Sequence, residues 1–137
     1  MFIYDRKEPW VFKTNFVDIN NVVLGFDMIE NCCEDFGWFI VDEPCRNKDM
    51  FMEIKDQEKS FRYLGYYFDT EYNENITIND DFKDINIVIF KITNDEGDLK
   101  YIHLYNHHNG YYTHGFSLTK NSELCHNLGE RLYGGRI

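Results

Sequence analysis

Residues 101 to 116, YIHLYNHHNGYYTHGF, hold four of the five histidines of this chain, His103, His107, His108 and His114, among five aromatic residues. Imidazoles gathered this closely suit metal ligation or proton transfer. Asn109-Gly110 predicts a type I′ hairpin, since both central residues of that turn need positive φ. With His108 to Tyr111 as the turn, Tyr101 faces Leu118, His103 faces Phe116, Tyr105 faces His114, and His107 faces Tyr112, all on one face, with His108 on the other. His103 and His107 are then about 13 Å apart at ~3.3 Å per residue, too far for both to reach one zinc ion through bonds of about 2.0 to 2.1 Å. A three-histidine site fails, and a two-histidine site needs completion by Cys125, Cys32 or a carboxylate. The expectation is therefore no bound metal, with this face serving as aromatic core or as a partner-binding surface.

Other chemistry is sparsely represented. The sequence has no glycine-rich phosphate loop, serine-nucleophile elbow or helical zinc-protease motif. Cys32 or Cys33 with a hairpin histidine would make a nucleophilic dyad, but Glu30, Glu34 and Asp35 alongside would raise the thiol pKa. No catalytic residue and no cofactor is expected, and the balance leans away from an enzyme. With no secretory leader expected at the N-terminus, the four cysteines read as reduced thiols of a cytoplasmic protein.

The elements that would position these residues are mostly strands. Runs rich in β-branched and aromatic residues lie at 16 to 28, 38 to 43, 62 to 72, 85 to 93, 99 to 105 and 111 to 118. The fold class predicted is mainly β, an antiparallel sheet or sandwich with one or two short helices, and α+β as second choice. One helix is expected within 47 to 60 with Asp49 capping, and a second from Ser122 to Gly129. A hairpin around NDEGD, with Thr93 opposite Leu99, would put Ile85, Ile87 and Ile89 on the Tyr/His face and Val88, Phe90 and Ile92 with Ile102 and Leu104. Apolar residues on both faces place that pair inside a sheet covered on both sides. Without a linker or internal repeat, 1 to 137 reads as a single domain.

Charge is lopsided: 24 acidic against 14 basic residues give a formal net charge of −10, which opposes direct nucleic-acid binding. Membrane association is not expected either. The acidic residues cluster in two tracts, residues 27 to 45 and 63 to 82, which either keep loops and strand faces solvated or form a patch that docks on a basic partner.

NCCEDFGWFIVDE, followed by VIFKIT, the histidine stretch and the closing glycines, resembles a small β-rich family of uncharacterised bacteriophage and bacterial proteins. The matching residues are Cys32, Cys33 and Glu34, then Asn109, Gly110, Tyr111, Tyr112, His114, Gly115 and Phe116; residues 44 to 61 and the extra His107 and His108 depart from the pattern. The resemblance implies a phage-type origin and a β fold, and no activity. Taken with the charge, it sets the expectation of a non-catalytic viral protein that binds and inhibits or modulates a host protein with a basic surface, for example a nucleic-acid-handling defence enzyme in an anti-CRISPR-like role. The expected contact residues are Glu34, Asp35, Asp42, Glu43, Asp69, Glu71, Glu74, Asp80, Asp81, His107, His108, Tyr111 and Tyr112. The alternative is a small-ligand-binding module or small enzyme whose pocket opens at the 107 to 114 hairpin, using His107, His114 and Tyr112.

Overall fold

A computed structural model describes residues 1–30, 35–56, 63–81, 83–108, 112–122 and 125–137, with backbone alone at 121–122 and 125–129. The described residues form nine strands and one short helix. They are β1 (Phe2–Glu8), β2 (Val11–Val17), β3 (Val22–Asp27), β4 (Asp35–Val41), α1 (Lys48–Ile54), β5 (Tyr67–Ile78), β6 (Asp84–Thr93), β7 (Leu99–His108), β8 (Gly115–Ser122) and β9 (Cys125–Arg136). Sheet A has the order β1-β2-β3-β8-β9, sheet B the order β4-β7-β6-β5, and every pairing is antiparallel. The mainly β expectation holds.

The inner faces of the two sheets interdigitate. Phe16, Leu24, Phe26, Phe116 and Leu118 from sheet A meet Trp38, Val88, Phe90, Ile92, Ile102 and Leu104 from sheet B in one buried cluster. The Phe16 ring stands edge-on to Trp38, with centroids 5.1 Å apart, an arrangement favoured by the ring quadrupoles. Asp18 ties the layers together. Its buried carboxylate accepts the backbone N–H groups of Asn20 and Val22 in the β2–β3 turn and of Phe68 in β5, each at 2.8 to 2.9 Å.

The far face of sheet B is covered by α1. Asn47 caps this helix by accepting from the Met50 N–H at 2.8 Å, in place of the expected Asp49, which lies within the first turn. Phe51 and Ile54 pack down onto Phe39, Ile85, Ile87, Ile89 and Tyr105. The pair β6 and β7 is thus buried above and below, with Thr93 opposite Leu99 as the sequence predicts.

Two expectations are overturned. The helix from Ser122 to Gly129 is absent: β8 runs to Ser122 and β9 from Cys125 to Arg136, because a long antiparallel partner offers this segment ladder hydrogen bonds that a two-turn helix would forgo. The histidine hairpin is also absent as a sheet unit. β7 lies between β4 and β6 in one sheet, while β8 lies between β3 and β9 in the other. The chain leaves sheet B at His108 and enters sheet A at Gly115, both edges of the doubly buried β7 being already occupied. Asn109, Gly110 and Tyr111, like Cys32, Cys33 and Glu34, lie outside the described residues.

Candidate functional site on the outer face of sheet A

With β7 and β8 in different sheets, the four histidines separate. His103 is fully buried: its Nε2 accepts from the Cys45 N–H at 2.9 Å, so Nδ1 carries the proton and faces the Tyr101 carbonyl at 3.1 Å. Burial pushes its pKa down to about 4. His114 is fully buried between the layers, 2.7 Å from the Asp27 carbonyl and stacked on Phe36 at 4.0 Å. His108, expected at an exposed tip, is only 5% exposed and bonds Asn86 at 3.0 Å; it faces the inter-sheet space like Leu104 and Asn106 rather than solvent. His107 is held by Asp80 at 3.0 Å, and Asp80 is gripped on its other oxygen by Lys48 at 2.6 Å. That ammonium holds the Asp80 carboxyl below its usual range. Tyr112 alone of this group is well exposed. Among the described residues, His107, His114 and Tyr112 do not line a common pocket. Among the described residues, no three His, Cys, Asp or Glu side chains converge as a metal site.

The acidic tracts are also largely engaged within the chain. Asp35 pairs with Lys55, Asp42 with Lys100, Asp69 with Lys91, Glu74 with Arg46 and Asp80 with Lys48. Glu43, Glu71 and Asp81 are exposed and form no ion pair among the described residues. Five of these carboxylates thus have a cationic partner within the chain.

A concave site lies elsewhere, on the outer face of sheet A. Strand alternation turns Lys13 of β2, Gly25 and Asp27 of β3, Gly115, Ser117 and Thr119 of β8, and Gly134 and Arg136 of β9 away from the core, and the irregularity between Leu118 and Thr119 in the β8–β9 ladder brings Arg131 opposite Thr119 on the same face. The register sets them in cross-strand rows: Asn15, Gly25, Ser117 and Gly134 lie side by side, flanked on one hand by Lys13 beside Asp27 and Gly115 beside Arg136, and on the other by Thr119 beside Arg131. Small residues in the middle row leave a trough of about 610 Å³, walled by the longer side chains around it.

Two guanidinium groups rest on glycines in this trough. A Cβ on Gly134 would lie 2.7 Å from Nε and 2.9 Å from Cζ of Arg131, so the bare glycine is what lets that guanidinium lie flat on the floor. Arg136 Nη1 would be 3.7 Å from a Cβ on Gly115, and its Nε donates to Thr113 Oγ1 at 2.9 Å, which aims the side chain along the strand. Whereas Lys48, Lys55, Lys91, Lys100 and Arg46 each have a carboxylate partner, Lys13, Arg131 and Arg136 form no ion pair among the described residues.

Trp10 stands at the rim. Pro9 and Trp10 turn β1 into β2, and Trp10 takes φ 70 with 94% of its surface exposed. Glycine or asparagine normally fills such a turn position, and a side chain with Cβ there costs about 1–2 kcal/mol. An indole in open solvent with a strained backbone is a feature that packing does not explain.

Sequence reasoning passed over this site because its parts come from both ends of the chain. Arg131, Gly134 and Arg136 lie beyond the helix expected from Ser122 to Gly129, and neither that closing stretch nor β1 carries a strand expectation. The available signal was the Pro-Trp pair between two alternating runs, together with Arg-Ile/Arg-Leu basic residues near the closing glycines of an otherwise acidic chain. No family model, curated protein or solved structure matches the chain. No helix among the described residues is long and apolar enough to cross a membrane.

Proposed function

We propose that the protein is a binding module that takes an anionic ligand into the trough on sheet A. The observation that carries this reading is that Lys13, Arg131 and Arg136, which form no ion pair among the described residues, line one glycine-floored depression in a chain of net charge −10. Guanidinium groups match oxyanions through paired, charge-assisted hydrogen bonds, and Ser117 in the lining carries a hydroxyl. The test is titration of ¹⁵N-labelled protein with inorganic phosphate at constant ionic strength. Saturable shifts at Ser117, Thr119, Arg131 and Gly134, lost in Arg131→Gln, are expected; shifts that scale only with ionic strength would refute the reading.

A second reading keeps the phage-type inhibitor expected from composition, docking on a basic host protein. It is favoured by Glu43, Glu71 and Asp81, which are exposed and without ion pairs among the described residues, and by the exposed Tyr112. It is weakened by the internal pairing of Asp35, Asp42, Asp69, Glu74 and Asp80 and by the burial of His108. Affinity capture from a bacterial host lysate, with Glu43→Lys/Glu71→Lys/Asp81→Lys as control, tests it. A basic-surfaced protein retained by the wild type and lost by the triple variant is the expected result, and equal retention by both would count against it.

A further inference from the structure

We infer that the sheet A trough is built for a nucleoside phosphate, with Trp10 stacking on the base and Arg131 and Arg136 holding the phosphate; this rests on the anion-binding reading proposed above. The indole and the guanidinium groups line the same depression. Their separation along the sheet suits a ligand with a planar ring at one end and a charge at the other. Lys13 and Trp10 belong to β2 and the turn before it, whereas Arg136 lies three strands away in the row that runs Lys13, Asp27, Gly115, Arg136, about 14 Å at ~4.8 Å per strand. That span is of the order of a mononucleotide's length.

Each part of the trough has a use for such a ligand. An exposed indole is the best aromatic platform for a π-face, and base stacking on an aromatic side chain is worth about 1–3 kcal/mol. The φ 70 conformation holds Trp10 out from the turn, where its ring gains no packing from the protein. Arg131 lies flat on Gly134, and Arg136, whose Nε and Nη2 donate to Thr113, keeps Nη1 over Gly115; two cationic groups lining one depression suit the several oxygens of a phosphoryl group better than a single carboxylate. Asp27 lies between these cations, on β3, with its Oδ1 accepting the Ile29 N–H at 3.0 Å; its remaining oxygen is an acceptor for a ribose hydroxyl. A long nucleic acid is disfavoured by the overall charge of −10, since every further phosphate would meet an acidic surface.

The experiment measures binding of adenosine monophosphate, adenosine, ribose 5-phosphate and inorganic phosphate by calorimetry and by tryptophan fluorescence. Trp38 is buried, so quenching by a stacked base reports on Trp10. Adenosine monophosphate should quench the exposed indole and bind about tenfold tighter than ribose 5-phosphate. Trp10→Gly should abolish that advantage while leaving phosphate binding intact, and Arg131→Gln and Arg136→Gln should each weaken the nucleotide about tenfold. Circular dichroism melts confirm that the surface variants are folded. If phosphate and the nucleotide bind equally and the indole is not quenched, the anion site stands and the nucleoside assignment falls. Adenosine binding as tightly as its monophosphate would also overturn the assignment. If none of the four binds at millimolar concentration, both readings fall.

Discussion

His103 Nε2 lies 2.9 Å from the backbone nitrogen of Cys45 and accepts its hydrogen bond, joining a residue at the centre of β7 to the loop that precedes α1. The bond exists only while the imidazole is neutral. With an ordinary value of 6.5 and a folded value of about 4, the unfolded chain binds the proton first as pH falls. The contribution is fully present above about pH 6.5 and is lost progressively between 6.5 and 4, roughly 3 kcal/mol in all at about 1.4 kcal/mol per unit. Urea denaturation at pH 7, 5.5 and 4.5 should trace this decline. His103→Phe keeps a ring against Phe39 but strands the Cys45 N–H. It should cost about 1–3 kcal/mol at pH 7 and flatten the acid limb. Asp80, whose carboxyl is also held low, acts in the same direction at lower pH, so the comparison between wild type and variant isolates the histidine.

Asp18→Ala removes the acceptor for three backbone N–H groups, two in the β2–β3 turn and one from β5 in the opposite sheet. Hydrogen bonds to a charged acceptor contribute about 1.5–3 kcal/mol each, and the amides of Val22 and Phe68 would be left buried. The variant should lose about 3 kcal/mol or more in chemical denaturation. Asp18→Asn, which retains one carbonyl oxygen, should lose less.

Phe51→Ala empties the fully buried position where α1 meets Phe39 and Tyr105. The expected cost is about 3–5 kcal/mol by thermal or urea unfolding, in line with other large-to-small changes at packed aromatic sites.

Trp10→Gly should leave the unfolding midpoint unchanged or raised by up to about 1 kcal/mol. Relief of the positive-φ strain is opposed by the greater backbone entropy of glycine in the unfolded chain. A solvent-exposed tryptophan whose removal does not destabilise the fold marks a residue kept for contact with something else, and a marked loss of stability would show instead that the indole packs.

Gly134→Ala should be tolerated by the backbone, since Gly134 is not in the left-handed region, but the added methyl displaces the Arg131 guanidinium. Stability should change by less than about 1 kcal/mol, while phosphate-induced shifts at Ser117 and Thr119 diminish. Unchanged shifts would mean that the resting place of Arg131 does not matter to the trough.

The β6–β7 pair was legible in the sequence because its alternation is strict on both faces and the NDEGD turn allows one register. β1 was not, because FIYDRKE runs from three apolar residues into four consecutive charged ones along an edge strand whose Phe2 and Tyr4 remain exposed. The turn from Asp18 to Asn21 was read through as part of one strand, although Asn21 at φ 63 is the kind of residue that ends one. The Asn-Gly signal misled for a related reason: local turn preference cannot report that one edge of β7 is filled by β6 and the other by β4, a strand distant in sequence. The trough shares that difficulty. Its cations become neighbours only through pairings between chain segments that no local pattern links.

Sheet A joins the first three strands to the last two through the β3–β8 ladder, in which Val22 faces Lys120, whereas sheet B is drawn wholly from the intervening chain. Loop closure over so long a span is slow, and sheets dominated by such pairings fold in milliseconds to seconds, against about 1–10 μs for an isolated hairpin. The β6–β7 unit is thus placed to form early and the β3–β8 seam late. Phe116 and Leu118 gain their partners Phe26 and Leu24 only when that seam closes. The trough takes Lys13 from one side of the seam and Arg131 and Arg136 from the other, so it is complete only once the two ends of the chain have been joined.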